Sequence, residues 1–211
     1  MNLPTEKEMY AALEKRHGAS IQKKLSNASV AVCGLGGLGS NITISLARLG
    51  IGKLILVDFD KVDLANLNRQ QYAVKHIGMN KTDAMYDIIK SIMPYANVEL
   101  HNKKITKDNI NILSQADIIC EAFDDAQSKA MLVNYAAELF PQKYIVCASG
   151  MAGIGCANNI ITRKITEHLF VCGDGKSDIA EKGSVFSTGA MLCAAHQAHT
   201  VLRIITENFD A

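Results

Sequence analysis

The chain has 211 residues, of which 48% are apolar and 20% charged. This composition allows one substantial hydrophobic core and excludes a disordered, collagen-like or coiled-coil chain. Since 22 basic residues face 21 acidic ones, the net charge of +1 gives no field that attracts nucleic acid. No apolar run reaches the roughly 18 residues that cross a bilayer, and the charged N-terminal stretch is unlike a signal peptide. We therefore expect a soluble, cytoplasmic protein without a membrane partner.

The hydrophobic pattern predicts strands and helices in regular alternation. Apolar runs typical of buried parallel strands lie at residues 30–33, 54–58, 98–101, 118–121 and 144–148. Helical patterns lie at 5–16, 19–26, 40–49, 81–93, 107–113, 127–140 and 187–207. Two further strand-like runs, 159–163 and 168–171, are close enough to form a hairpin. This order predicts a doubly wound, mostly parallel α/β sheet with an antiparallel C-terminal extension. Without repeats or linkers, we expect a single domain over residues 1–211, with the helices of residues 1–27 as an appendage.

Six cysteines are present, but none of their spacings is that of a zinc site. No two are separated by only two residues, and no histidine lies at zinc-finger spacing from a pair. Cys33, Cys120 and Cys147 each close an apolar run, where a thiol in a reducing compartment behaves as a small core residue.

A glycine-rich turn follows the first predicted strand. Gly34, Gly36 and Gly39 fill the three positions of G-x-G-x-x-G, and a helix begins directly after them. Asp58 ends the next strand, where a carboxylate can accept hydrogen bonds from both ribose hydroxyls. A turn that merely packs tightly is the structural alternative. The register of strand, turn, helix and acid favours nucleotide binding on a Rossmann-like fold.

Further charged residues indicate whether the site binds a dinucleotide or a nucleoside triphosphate. Arg69 and Lys81 follow the ribose acid, and Asp124 and Asp125 follow a later strand. Two cations and an acid suited to Mg²⁺ are typical of a triphosphate site rather than a dinucleotide site. The alternatives are a solvated loop at residues 60–70 and a helix-capping role for Asp124.

Four motifs together resemble one superfamily. They are GLGGLGS at 34–40, D-F-D-x-V-D-x-x-N-L-N-R-Q at 58–70, G-x-x-K at 78–81 and A-F-D-D at 122–125. The chain resembles the ThiF/MoeB/ubiquitin-activating-enzyme superfamily over essentially its whole length, and within it the ThiF-type sulfur-carrier adenylyltransferases of thiamine biosynthesis. The resemblance implies ATP- and Mg²⁺-dependent adenylation of the C-terminal glycine carboxylate of a small ubiquitin-like sulfur carrier protein ending in Gly-Gly, with release of pyrophosphate. It also implies a homodimer.

The resemblance also implies roles for individual residues. It assigns Gly34, Gly36, Gly37 and Gly39 to the phosphate turn, Asp58 to the ribose with Asp60 in the same nucleotide site, Asn66, Arg69, Gln70 and Lys81 to the phosphates, and Asp124 to Mg²⁺. Arg69, Lys81 and Asp124 would be catalytic, because they stabilise charge that builds as pyrophosphate leaves. No general base is needed, since the carrier carboxylate is already ionised at neutral pH.

Two further candidates depart from the family pattern. Arg16 is the nearest match to an arginine that reaches the partner's γ-phosphate in dimeric relatives, although the usual R-Y-x-R-Q form is absent and a solvated helix is the alternative. Cys172 is the only cysteine in a Gly-rich polar loop, where an accessible thiolate could link covalently to the carrier as in some relatives, or it is the buried end of a strand. The two C-x-x-C pairs common in relatives are absent, so we expect a compact form without zinc.

Three other functions are compatible with parts of the pattern. An NAD-dependent oxidoreductase would use the glycines and Asp58 but leave Arg69, Lys81 and Asp124 without a role. A non-catalytic nucleotide-binding scaffold would be expected to lose one of those three. A relative that activates a modified tRNA base is less favoured by the neutral charge.

Overall fold

The structure, a computed structural model, describes residues 3–208, with Ile179 described by its backbone alone. The strands are β1 Ser29–Cys33, β2 Lys53–Asp58, β3 Asn97–Asn102, β4 Ile118–Glu121, β5 Tyr144–Ala148, β6 Ile161–Lys164 and β7 Leu169–Gly173. They form one seven-stranded sheet in the order β3-β2-β1-β4-β5-β7-β6. All neighbours are parallel except the hairpin of β6 and β7. The predicted parallel α/β sheet with an antiparallel extension is confirmed.

The helices cover both faces of this sheet. They are α1 Glu6–His17, α2 Ala19–Asn27, α3 Gly39–Leu49, α4 Lys81–Ile92, α5 Ala126–Leu139, α6 Ile179–Lys182 and α7 Ser187–Thr206. Short 3-10 turns lie at Leu64–Asn66, Val74–His76, Ile110–Leu113 and Ala157–Asn159. Across residues 3–208, no helix combines the length and apolar character that a membrane span requires.

Two hydrophobic cores lie on opposite faces of the sheet. Alternate residues of β1 show the division, since Val30 and Val32 join one core while Ala31 and Cys33 join the other. The larger core is covered by α2, α3, α4 and α7, and the smaller by α5 and the turn at Ile110–Leu113. Burial on both faces explains why the central strands are continuously apolar in sequence.

The N-terminal helices contact the larger core. Leu25 of α2 is fully buried there, and α1 packs against it through Met9, Tyr10 and Leu13. The organisation of residues 1–211 as a single domain stays a prediction.

The helix predicted at 107–113 is wrong except for its last turn. A 3-10 turn at Ile110–Leu113 replaces it. The Asn109 side chain accepts a hydrogen bond from the Thr106 N–H and donates one to the Lys104 carbonyl. Such local side-chain bonds compete with helix, so an apolar periodicity here accompanies a turn.

Candidate active site

A cavity of about 510 Å³ opens at the carboxyl ends of the central strands. The chain changes direction across the sheet between β1 and β4, which is where open α/β sheets form their ligand crevice. The glycine turn, residues 34–39, follows β1, and the acidic turn, residues 122–125, follows β4. The predicted site residues that line the cavity are Gly34, Gly36, Gly37, Asp58, Asp60, Asn66, Arg69, Gln70, Lys81 and Asp124.

Two glycines of the glycine turn are required by packing and one is not. Gly34 has a φ of +92°, and a Cβ on it would lie 2.8 Å from the Ala122 carbonyl oxygen. A Cβ on Gly39 would lie 1.8 Å from the Gly34 carbonyl oxygen. By contrast, a Cβ on Gly36 would find its nearest protein atom, Nε2 of Gln70, at 3.8 Å. The missing side chain of Gly36 therefore leaves space in the cavity rather than permitting the turn.

The glycine turn presents free backbone donors. Helix α3 begins without a capping side chain, and the Gly36 and Gly37 N–H groups have no acceptor within residues 3–208. The turn itself is held at Leu35, whose N–H donates to Oδ2 of Asp58 at 2.6 Å and whose carbonyl accepts from the Tyr72 hydroxyl at 2.8 Å. Free N–H groups at a helix N-terminus suit a phosphate.

Asp58 is a buried carboxylate beside two other charges. Its Oδ1 accepts a hydrogen bond from the Asp60 N–H at 2.8 Å. Burial raises the pKa of Asp58, and the nearby Lys81 ammonium opposes that rise. Lys81 Nζ lies 2.7 Å from Oδ2 of Asp60 and 4.0 Å from Oδ2 of Asp58. The predicted phosphate cation thus lines the cavity but already shares its charge with Asp60.

Arg69 is the less neutralised of the two predicted cations. Its guanidinium donates to Oδ1 of Asn68 at 2.9 Å, and it forms no ion pair within the described part of the chain. Beside it, Oε1 of Gln70 is buried and has no hydrogen-bond partner there either. Arg69 lines the cavity without an ion pair among the described residues, so its charge is available to a ligand. Four residues of the segment at residues 60–70 line the cavity, Asp60, Asn66, Arg69 and Gln70, whereas five others, Lys61, Asp63, Leu64, Ala65 and Asn68, are exposed.

Asp124 does not cap a helix. Asp125 fills that position, because its carboxylate accepts from the Ser128 N–H at 2.7 Å, which holds the pKa of Asp125 below its usual value. The exposed Asp124 side chain makes no hydrogen bond or ion pair with any other described residue. No cluster of three His, Cys, Asp or Glu side chains suited to a metal occurs in the described residues. One free carboxylate fits Mg²⁺ nonetheless, because this ion commonly takes one or two carboxylates with substrate phosphates completing its shell.

The two candidates that depart from the family pattern, Cys172 and Arg16, have different outcomes in the structure. Cys172 lies in β7 with no exposed surface, and burial raises the pKa of its thiol. The expectation of an accessible thiolate is wrong, and the alternative of a buried strand end is correct. Cys33, Cys120 and Cys147 are core residues as predicted. Arg16 is exposed on α1 and does not line the cavity, so its action across a dimer stays a prediction.

Four charged residues near the cavity were missed by the sequence reasoning. Lys103 and Lys104 directly follow β3 and line the cavity. Lys129 also lines it and pairs with Glu121, the fully buried last residue of β4. Three of these residues lie at or just beyond the carboxyl end of a predicted strand, namely Lys103, Lys104 and Glu121. The rule that ligand crevices form at these strand ends could therefore have found them.

Solved structures share this fold. The E. coli tRNA N6-threonylcarbamoyladenosine dehydratase TcdA, in complex with ATP, superposes with a TM-score of 0.85 at 20% identity, covering 95% of each chain. E. coli MccB with ATP gives a TM-score of 0.69 at 22% identity, covering 97% of this chain and 66% of that one.

Curated relatives are closer in sequence but longer. The probable adenylyltransferase/sulfurtransferase MoeZ of Mycobacterium tuberculosis is 38% identical over 130 residues, 61% of this chain and 33% of that protein. Ubiquitin-like modifier-activating enzyme 5 of Caenorhabditis elegans is 34% identical over 137 residues, 59% of this chain and 32% of that protein. The matched part of each relative is about a third of its length. The ThiF family model matches residues 10–210, and the chain belongs to the ThiF family.

Proposed function

We propose that this chain is an ATP-dependent adenylyltransferase that activates the C-terminal glycine carboxylate of a small ubiquitin-like sulfur carrier protein. One observation carries the proposal. The free donors of the glycine turn, the ribose acid Asp58, the cations Arg69 and Lys81, and Asp124 all line a single cavity. The name of MoeZ, an adenylyltransferase and sulfurtransferase, supports the same chemistry.

The cavity offers a distinct group to each part of ATP. The ribose hydroxyls would donate to Asp58, whose oxygens have lone pairs beyond those used by Leu35 and Asp60. The phosphates would accept from the Gly36 and Gly37 N–H groups. Magnesium, held by Asp124, would neutralise part of the phosphate charge.

The adenylation step needs no proton transfer. A carboxylate oxygen of the carrier attacks the α-phosphorus, a new P–O bond forms, and the bond to the bridging oxygen breaks. Pyrophosphate leaves with the bonding electron pair, and the carrier is left as an acyl adenylate. Arg69 and Lys81, which line the cavity, would stabilise the charge that moves onto pyrophosphate without reorganisation.

The competing functions explain fewer of these groups. An NAD-dependent oxidoreductase has no use for the Arg69 guanidinium or the unpartnered Asp124 carboxylate. A non-catalytic scaffold has no reason to keep both in the cavity.

We also propose the finer features that the motif resemblance implies. These are a role in thiamine biosynthesis, a cytoplasmic location and a homodimer in which Arg16 reaches the partner's site. Sedimentation equilibrium tests the dimer, and Arg16→Ala tests whether the residue affects turnover without altering assembly.

The decisive experiment is ATP–pyrophosphate exchange with small carriers ending in Gly-Gly. Label should pass from pyrophosphate into ATP only when an intact carrier is present, because exchange requires reversible formation of the adenylate. The matched control is the same carrier without its last glycine. Exchange that is equal with both carriers, or absent with every carrier tested, would contradict the proposal.

A tRNA substrate is the second candidate. It is favoured by the similarity to TcdA, which covers 95% of both chains, and disfavoured by the net charge of +1. Replacing the carrier by tRNA in the same assay separates the two. Nucleotide turnover that depends on tRNA and not on any carrier would favour this candidate.

A further inference from the structure

Glu121 is a buried charge that the proposed chemistry does not use. It is the last residue of β4, its surface is fully covered, and burial raises the pKa of its carboxyl. A well-packed apolar residue often fills such a position with no loss of stability. Packing alone therefore does not require a carboxylate here.

The partners of Glu121 connect several elements of the site. Lys129 Nζ donates to Oε1 and Oε2 of Glu121 at 3.0 and 2.9 Å. It also donates to the Ala148 carbonyl, at the end of β5, at 3.3 Å. Oε1 of Glu121 accepts from the Phe123 N–H at 2.6 Å. The ion pair thus joins the ends of β4 and β5 to α5 and to the acidic turn.

The acidic turn is held on both sides of Asp124. Phe123, the residue before it, is fixed by Glu121, and Asp125, the residue after it, is fixed by its bond to the Ser128 N–H. Asp124 itself is bound to nothing in residues 3–208. The position of the free carboxylate therefore depends on its two anchored neighbours.

Lys129 is not free to bind phosphate in this arrangement. An ammonium has three N–H donors. All three have acceptors, two on Glu121 and one on Ala148. The charge of Lys129 is also matched by Glu121, although the side chain lines the cavity.

We propose that Glu121 and Lys129 are positioning residues, which hold the acidic turn so that Asp124 meets the metal-bound nucleotide. The inference rests on the proposed function, since it assigns Asp124 to the metal. Groups that orient a metal ligand typically affect metal affinity or activity by about 10- to 100-fold.

The test compares two binding measurements on the variant Lys129→Met. Calorimetry measures the binding of metal-free ATP, and electron paramagnetic resonance measures the binding of Mn²⁺·ATP. We expect Mn²⁺·ATP binding to weaken about 10- to 100-fold, while metal-free ATP binding changes little. Lys129→Arg should stay close to wild type, because it keeps the ion pair. The matched control is Lys143→Met, since Lys143 also donates to backbone carbonyls, those of Ser114 and Ala116, and does not line the cavity.

Glu121→Gln keeps the test valid if Lys129→Met does not fold. Glutamine retains an acceptor for the Phe123 N–H but loses the ionic attraction, so Mn²⁺·ATP binding should weaken by less and metal-free ATP binding should not weaken. Loss of both binding modes in parallel in Lys129→Met, or Mn²⁺·ATP binding at wild-type strength in both variants, would overturn the proposal. Wild-type protein that binds Mn²⁺·ATP but exchanges pyrophosphate with no substrate would instead end the proposed function, while the binding comparison would still judge the positioning role.

Discussion

The glycine turn and the acidic turn lie in contact at the ends of adjacent strands, but they are built differently. In the glycine turn the proposed binding group is the backbone, which is oriented by Asp58 and Tyr72 through Leu35. In the acidic turn the proposed binding group is a side chain, that of Asp124, whose neighbours Phe123 and Asp125 are held by hydrogen bonds. In our proposal the first turn supplies donors for a nucleotide, and the second supplies a single acceptor for a metal. We expect the two turns to respond to substitution in different ways.

The largest effect should follow removal of the one free carboxylate. Asp124→Ala should abolish pyrophosphate exchange, because no other acid in the acidic turn can replace it while Asp125 caps α5. Stability should be unchanged, since Asp124 is exposed and unbonded among the described residues. The control is Asp125→Asn, which keeps a good helix cap and should keep exchange. Normal exchange in Asp124→Ala would show that the Asp124 carboxylate has no part in the reaction.

The cations near the glycine turn should give the next largest effect. Arg69→Ala should lower kcat by about two to three orders of magnitude, the typical cost of one preorganised donor, and change KM for ATP less. Lys81→Ala should lower kcat and also raise KM, because the Asp58 and Asp60 carboxylates would then lie in the cavity of an anionic nucleotide without their counter-ion. Steady-state kinetics separates these results. A steep rise in KM with normal kcat in Arg69→Ala would place this side chain in ground-state binding.

Substitutions at two glycines of the glycine turn should affect ATP binding and fold stability separately. Gly36→Ala should keep stability within about 1 kcal/mol of wild type but weaken ATP binding about tenfold or more, a loss of about 1.4 kcal/mol. Gly39→Ala should destabilise the fold by about 3 kcal/mol or more, because its Cβ meets the Gly34 carbonyl. Urea unfolding and calorimetry measure the two quantities. If Gly36→Ala binds ATP normally, the space beside Gly36 is not where phosphate lies.

The same difference explains which part of the site the sequence could predict. The glycine turn depends on residues close together in the chain, so the spacing of Gly34 and Gly39 specifies a tight turn after a strand. The burial of the Glu121–Lys129 pair depends instead on how α5 packs against the ends of the strands. Lys129 of α5 donates to the Ala148 carbonyl, at the end of β5, as well as to Glu121. In sequence Glu121 is merely the polar end of an apolar run, and nothing local indicates that its carboxyl will be fully buried.

The prediction of an accessible thiolate at Cys172 is wrong for a related reason. Its neighbours Gly173 and Gly175 indicate a polar loop, but β7 extends to Gly173 and pairs with β5 and β6 on both sides. Burial by neighbouring strands is a long-range property that local composition does not report. The fold class, by contrast, follows from the alternation of elements along the chain.

The smallest effect we expect is a pH dependence of stability that comes from the buried carboxyl of Glu121. The folded-state pKa of Glu121 is raised above its ordinary value of 4.5, so the folded protein binds this proton more tightly than the unfolded chain does. Below pH 4.5 the group is protonated in both states and adds no penalty. As pH rises from there through the folded-state pKa, the free energy of unfolding should fall, by at most about 1.4 kcal/mol per pH unit.

The double variant Glu121→Gln/Lys129→Met should lack this decline, because it removes the carboxyl without leaving an unpaired ammonium. Asp58, whose pKa is also raised, is present in both proteins, so its contribution cancels when the variant is compared with wild type. Urea unfolding at a series of pH values above 4.5 measures the difference, which should grow in favour of the variant as pH rises. A difference that stays constant with pH would mean that Lys129 fully offsets the burial of Glu121. The acidic turn would then be anchored without any cost in stability.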